Sequence, residues 1–376
     1  MSRPLLLAYR ALGLGDLLTG VPALRALRDA FPEHQLVLAA PTVLAPLARL
    51  SGAVDDVLDT APLAVPTLSG ADLAVNLHGR GPESHRAVLA SAPRRMLAFA
   101  SREVPWCGPE WRAGEQEVAR WCRLLDESGI AADPGRLDLP APGASAPQGA
   151  TVVHPGAASP ARRWPAERWA AVARAERAAG RRVVVTGSAA ERALAARVAR
   201  TAGLDPDDML AGRTSVIELA AIVASAELVL CGDTGVGHLA TAFGTPSVLL
   251  FGPTPPAEWG PPAGRDRHVV LHRGGRGDPH GDEPDAGLLE ITVDEVLAVT
   301  AGRFPPRPSG RAPDMGITDK ISGRIKQAAG DLADDASMRQ QGRKEERKGE
   351  AKEEQARAEE RADRKAEEVA DLERRT

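Results

Sequence analysis

Residues 227–254, ELVLCGDTGVGHLATAFGTPSVLLFGPT, decide the fold. ELVLC is a short apolar run, GVGHLATAF carries its apolar residues at helical spacing, Gly244 stops that helix, and PSVLLF is a second apolar run. Two uninterrupted apolar strands joined through a helix are a βαβ unit of a parallel sheet covered on both faces. Chemistry gathers where the first strand meets the helix, at Cys231-Gly232-Asp233-Thr234-Gly235-Val236-Gly237-His238. Three glycines leave the backbone N–H groups of a helix start able to face an anion, and the helix dipole favours negative charge there. Asp233 and Thr234 can also simply cap the helix, and His238 alone would be structural, but the combination points to a pyrophosphate site. Phe251-Gly252-Pro253-Thr254, after the next strand, supplies a neighbouring wall.

The same alternation extends in both directions. Upstream, TVVHPGA (151–157) reads as strand and loop, PAERWAAVARAERAAG (165–180) as helix, RRVVVTG (181–187) as strand, and AAERALAARVARTAG (189–203) as helix. Ser215 and Glu218 form a capping box for the helix after them. His154, Gly156 and the Arg162-Arg163-Trp164-Pro165 run lie on a small-residue loop that can admit phosphate, with an arginine to neutralise it. Residues 138–150, DLPAPGASAPQGA, read as an interdomain linker. Before them, PLLLAY (4–9) is a strand, Gly13-Leu14-Gly15-Asp16 a tight turn, and DLLTGVPALRALRDAF an amphipathic helix. Strands are expected near 35–39, 54–58 and 71–77, and helices near 82–91 and 114–128. Asp16 sits where open α/β sheets bind ligands, although an N-cap aspartate reads equally well. Leu18 occupies the third glycine position of a dinucleotide fingerprint, which weakens that reading. Asn76-Leu77-His78-Gly79-Arg80, with His85 behind, follows a strand and could hold sugar hydroxyls or form an ordinary loop. Residues 255–290 read as loops, and 292–301 as a last helix. Asp205-Pro206-Asp207-Asp208 reads as a solvated turn rather than a metal site.

Composition narrows the classes. Forty-seven basic against 51 acidic residues give a net charge of −4, so no global basic field points to nucleic acid. Aromatic residues at 3% argue against a base-stacking surface. Cys107, Cys122 and Cys231 are widely spaced and odd in number, which fits a reducing, cytoplasmic setting without a disulfide framework. No apolar run reaches the ~18 residues of a spanning helix. Walker, HExxH and Gly-x-Ser-x-Gly motifs are absent.

In this order, GLGDLLTGVPALRALRDAFP, HPGA followed by RRWP, and GDTGVGHLATAFGTPSVLLFGPT resemble glycosyltransferase family 9, the heptosyltransferase-like enzymes, over about residues 1–300. The resemblance implies an α/β fold of GT-B type, two Rossmann-like domains facing a cleft. Residues 1–140 would bind the acceptor and 150–302 the nucleotide-sugar. It implies inverting transfer without cofactor or metal. Asp16 matches the general base, and Arg162 matches a position, commonly lysine, that stabilises the leaving diphosphate. Asp233, Thr234, Gly235 and His238 match the donor motif, with His154, Gly156, Gly252 and Thr254 beside it. Gly15, Asn76, His78, Arg80 and His85 are the acceptor candidates. The implied partners are an ADP-heptose donor and a glycan or lipid-linked acceptor, through which peripheral membrane contact would arise. Heptose comes from the family name alone. A sugar-nucleotide epimerase of GT-B fold and a non-catalytic nucleotide-sugar binding protein are the competing readings. Asp16 disfavours the second of these, since a binding module needs no base.

A compositional break follows. Every lysine lies at or after Lys320, beyond a Pro-rich linker at 303–314. Residues 315–376 carry 15 Lys/Arg and 16 Asp/Glu, the balance of an ion-pair-laced helix or a disordered tail. MGITDKISGRIKQAAGDLADDASMRQQGRKEERKGEAKEE (315–354) is similar to the CsbD-like stress-protein family, which implies a small helical, non-catalytic appendage.

Overall fold

A computed structural model describes residues 3–304. The CsbD-like segment and nearly all of the 303–314 linker lie outside the described residues. Among the described residues, ten strands form two five-stranded parallel sheets. The first contains β1 (Leu5–Tyr9), β2 (Gln35–Ala40), β3 (Asp56–Asp59), β4 (Leu73–Asn76) and β5 (Met96–Leu97), in the order β3-β2-β1-β4-β5. The second contains β6 (Thr151–His154), β7 (Val183–Val185), β8 (Leu228–Gly232), β9 (Ser247–Phe251) and β10 (His268–His272), in the order β10-β9-β8-β6-β7. The α-helices are α1 (Leu14–Ala30), α2 (Ala45–Leu50), α3 (Glu83–Ala90), α4 (Glu117–Asp126), α5 (Ala166–Ala178), α6 (Arg192–Ala202), α7 (Val216–Ser225), α8 (Gly235–Phe243), α9 (Pro256–Trp259), α10 (Ala286–Glu290) and α11 (Val293–Arg303).

Every residue of β6, β8 and β9 is buried, as continuous apolar runs under helices on both faces require. The Ser215–Glu218 capping box starts α7 as expected. Residues 255–290 are not all loop. HVVLH forms β10, an edge strand parallel to β9 and half-buried throughout, too weakly patterned to stand out among Pro and Gly.

Strand order sets the site. In the first sheet β2 and β4 flank β1 on opposite sides, so the chain's direction of winding reverses between β1 and β4. In the second sheet it reverses between β6 and β8. Open α/β sheets bind ligands outside the carboxyl ends of strands at such switch points. Arg10 and Leu77 mark one, and His154 and Asp233 the other.

The two switch points are brought face to face by a seam in which α1 packs on α8 and α2 on α7. Leu17, Leu18 and Val21 share one continuous core with Val236, Leu239 and Ala240. The Leu139 N–H, before β6, donates to the Ala242 carbonyl across the seam (2.9 Å). The helix starts meet closely enough to need glycine on both sides. A Cβ on Gly15 would lie 2.9 Å from His238 Cδ2, and one on Gly235 would lie 2.9 Å from Leu14 Cβ. Gly235→Ala must therefore push α1 and α8 apart. The expected cost is about 1–3 kcal/mol, read as a lowered thermal midpoint, with a larger radius of gyration in X-ray scattering if the halves separate.

Candidate active site

One cavity runs along the seam between the two switch points. Gly13, Leu14, Gly15, Asp16, Val43 and Leu44 line it from the first half, and His154, Arg162, Glu191, Asp233, Thr234, Gly235, His238 and Thr254 from the second.

On the second half, α8 begins at the cavity wall. Its N-cap is Thr234, whose side chain makes no capping hydrogen bond, and no acidic side chain occupies the first turn. The positive end of the helix dipole is thus turned to the cavity. Asp233 and Arg162 are both buried. Arg162 Nη1 lies 3.7 Å from Asp233 Oδ2 and donates to the Asp233 carbonyl at 3.4 Å. Such a pair holds a guanidinium at the cavity wall without leaving its charge uncompensated. His154 Nδ1 hydrogen-bonds with Thr186 Oγ1 (3.0 Å), while Nε2 lies 3.9 Å from Glu191 Oε2. Burial pulls the His154 pKa down, with Glu191 opposing it. Burial likewise lowers His238, against the raising effect of Asp233 and Glu117, while Arg10 and Arg162 add to the lowering. Both rings are therefore neutral at neutral pH.

Gly156 and Gly252 do not line the cavity; they back its walls. A Cβ on Gly156 would fall 1.7 Å from Glu191 Oε1, and one on Gly252 would fall 3.0 Å from Leu288 Cβ. Gly156 thus leaves room for Glu191, which accepts from the Ser188 N–H (2.8 Å) and hydroxyl (3.0 Å) and presents its carboxylate to the cavity.

On the first half, α1 starts at Leu14 with Gly13 as N-cap, so Asp16 is the third residue of the helix rather than its cap. Asp16 is buried yet reaches the cavity. The other acceptor candidates, Gly15 apart, separate from it. Asn76 and His85 are fully buried. The Asn76 amide donates to Ser84 Oγ (3.0 Å) and lies 3.2 Å from His85 Nδ1, its carbonyl oxygen accepts from the His78 N–H (3.0 Å), and His85 Nε2 hydrogen-bonds with the Phe99 carbonyl (2.8 Å). These two residues tie β4 to α3 and to the chain after β5, and neither lines the seam cavity. A polar cluster after a strand looks the same in sequence whether it faces a ligand or closes on itself. Arg80 is half-buried and also off the cavity wall.

His78 is buried, stacked on Tyr9 (5.0 Å between centroids, 29° between planes), and likewise does not line the cavity. Burial, and then the Arg10 charge, push its pKa down to about 3. The folded protein therefore refuses a proton that the unfolded chain takes up below about pH 6.5. Stability attributable to this site is intact above pH 6.5 and falls by about 1.4 kcal/mol per pH unit from there toward pH 3. His78→Gln should flatten that slope in urea titrations repeated between pH 7 and pH 4.

The sequence reading passed over Arg10, Glu117, Glu191 and the Glu258–Arg276 ion pair at the cavity wall. Arg10 had one signal: a charge immediately after an all-apolar strand, where the chain enters the crevice. Glu117 had none, because an acidic residue in a helix's first turn is ordinary.

Residues 94–280 match the model of glycosyltransferase family 9 (heptosyltransferase). Lipopolysaccharide heptosyltransferase 1 of Pseudomonas aeruginosa is 47% identical over 70 residues, 19% of each chain. Lipopolysaccharide heptosyltransferase 2 of Escherichia coli is 28% identical over 148 residues, 37% of this chain and 41% of that one. The chain thus aligns with less than half the length of these curated relatives. The solved structure of E. coli ADP-heptose LPS heptosyltransferase II superposes with a TM-score of 0.63 at 19% identity, covering 79% of this chain and 97% of the other. At that identity the likeness is one of fold, and the fold is GT-B, with two Rossmann-like halves each built on a parallel sheet. The family 9 match starts inside the first half, while the structural likeness extends over most of the described residues.

Proposed function

We propose that the seam cavity transfers a heptosyl group from ADP-heptose to a hydroxyl of a lipopolysaccharide-core acceptor, with inversion and without a metal ion. The observation that carries this reading is the meeting of Asp16 and the α8 N-terminus in one cavity, each delivered by a different switch point. Acceptor and donor then need not share a domain. Asp16 removes the acceptor hydroxyl proton as that oxygen attacks the anomeric carbon. The bond from that carbon to the diphosphate oxygen breaks, and the electron pair leaves with ADP. Arg162 and the first N–H groups of α8 receive the growing negative charge. Neutral His154 and His238 can hydrogen-bond donor oxygens without competing for the proton. The kinship to heptosyltransferases supports heptose and ADP as the donor's parts.

Calorimetric titration of the purified chain with ADP, UDP, GDP and ADP-heptose tests the donor. Saturable binding of ADP and ADP-heptose alone, lost in Asp233→Ala, is the expected result; a preference for UDP or GDP would discard the heptose reading. Transfer to heptose-free core glycan should proceed unchanged in excess EDTA, and loss of activity restored by a divalent cation would overturn metal independence.

A further inference from the structure

Arg10 stands immediately after β1, and its side chain is fully buried. Its guanidinium donates to the backbone carbonyls of Asp16 and Leu77 and to Thr19 Oγ1 (2.9 Å), and packs over Trp121 at 4.7 Å. It pairs with two carboxylates. Nη2 lies 3.4 Å from Glu117 Oε1 and 3.6 Å from Asp16 Oδ1. Glu117 is fixed in turn by Trp121 Nε1 (2.9 Å) and Arg120 Nε (3.0 Å). One guanidinium thereby joins the end of β1, the first turn of α1, the loop after β4 and the first turn of α4.

This is more than a buried charge finding partners. The closer carboxylate is Glu117, and Arg10 stops beyond hydrogen-bond reach of the Asp16 carboxylate while gripping that residue's main chain. The grip fixes where the carboxylate stands; Glu117 absorbs part of a positive charge that would otherwise make Asp16 a poor proton acceptor. We propose that Arg10 and Glu117 are positioning residues for Asp16, holding it at the cavity and balancing its charge surroundings. The proposal rests on the transferase reading for its catalytic meaning, though not for its physical content.

The charged groups around Asp16 are Arg10 after β1, Glu117 and Arg120 from α4, and His238, Asp233 and Arg162 across the cavity, with neutral His78 behind Arg10. Arg10→Gln removes a cation 3.6 Å from the Asp16 carboxylate, so its carboxyl should hold its proton to higher pH. Glu117→Gln removes the compensating anion and should do the reverse. A residue that merely filled space would not produce opposite signs.

The test is a carbon-13 titration of the full chain labelled at aspartate carboxyl carbons, with the Asp16 signal assigned by its loss in Asp16→Asn. The expected midpoint moves up by about one pH unit in Arg10→Gln and down by a similar amount in Glu117→Gln. Arg10→Lys, which keeps the charge but not the fork, should leave the midpoint near its original value. Glu117→Gln keeps the shape and one accepting oxygen, which can still take the Trp121 Nε1–H, so it serves where Arg10→Gln fails to fold. Unmoved midpoints, or shifts of the same sign, overturn the proposal. The same variants assayed with ADP-heptose and core glycan should lose kcat at unchanged donor KM, with the acidic limb of the pH–rate profile following the titration. If Asp16→Asn itself transfers normally, the transferase base is wrong whatever the titration shows, so the two failures are distinguishable.

Discussion

Asp16→Asn is expected to lower kcat for heptosyl transfer by about 10²–10⁴, with calorimetric affinity for ADP-heptose near that of the parent chain. The asymmetry follows from geometry. Asp16 comes from the first half of the molecule, whereas Arg162, Asp233 and the start of α8, proposed above to face the donor diphosphate, come from the second. Removing the base takes away an interaction made as the acceptor proton moves and leaves the donor site as it was, so kcat falls and donor binding does not. Asparagine keeps the volume and a hydrogen-bonding oxygen, and Glu117 remains to offset Arg10, so the first turn of α1 should persist. The dipole at the start of α1 adds about 0.3–1 kcal/mol toward keeping the native carboxylate ionised. Transfer surviving in Asp16→Asn with donor binding intact would remove general-base catalysis by this residue and reopen the search among groups lining the same cavity.

The sequence carried most of the second half and less of the first, for physical reasons. Strands that are buried on both faces announce themselves as unbroken apolar runs, and β8–α8–β9 is such a segment from end to end. The glycines of that segment were legible as glycines but not for all of their reasons. They were expected to bring backbone close to a ligand. In the fold Gly235 makes room for Leu14 of α1, a Cβ on Gly237 would fall 3.2 Å from Leu249 Cδ2 of β9, and one on Gly232 would fall 3.2 Å from the Arg162 carbonyl, so the motif serves helix, sheet and domain packing. Gly15, expected to face acceptor, likewise makes room for His238 across the seam. What stayed hidden is what pairs at a distance: Arg10 and Glu117 are 107 residues apart, and no local pattern links them. Asn76 and His85 show the converse. Eight or nine residues separate Asn76 from the partners its amide meets, and a closed network of that kind reads as a binding loop until its burial is known.

Arg162→Met should lower kcat by about 10²–10³, the cost of removing one preorganised donor from a charge that develops in the transition state. Arg162 is buried where the second half lines the cavity, with one face committed to Asp233, so the side chain is held in place without a ligand. Preorganisation predicts the kinetic form of the defect. A residue that bound substrate and transition state equally would raise KM alone; one that meets charge as the diphosphate departs lowers kcat. Methionine also leaves Asp233 without its cation, a burial penalty that could depress activity for a different reason. Arg162→Met combined with Asp233→Asn separates the two. If the loss came from the stranded carboxylate, the double variant would turn over as fast as Asp233→Asn alone; if it came from the missing cation, it would stay about 10²–10³ below Asp233→Asn. Arg162→Lys completes the set. It restores the charge on a more flexible stem without the bidentate fork, so partial recovery is expected, larger in kcat than in thermal stability. Full recovery would mean that a point charge suffices at this position, and that the Arg162–Asp233 geometry contributes to folding rather than to transfer.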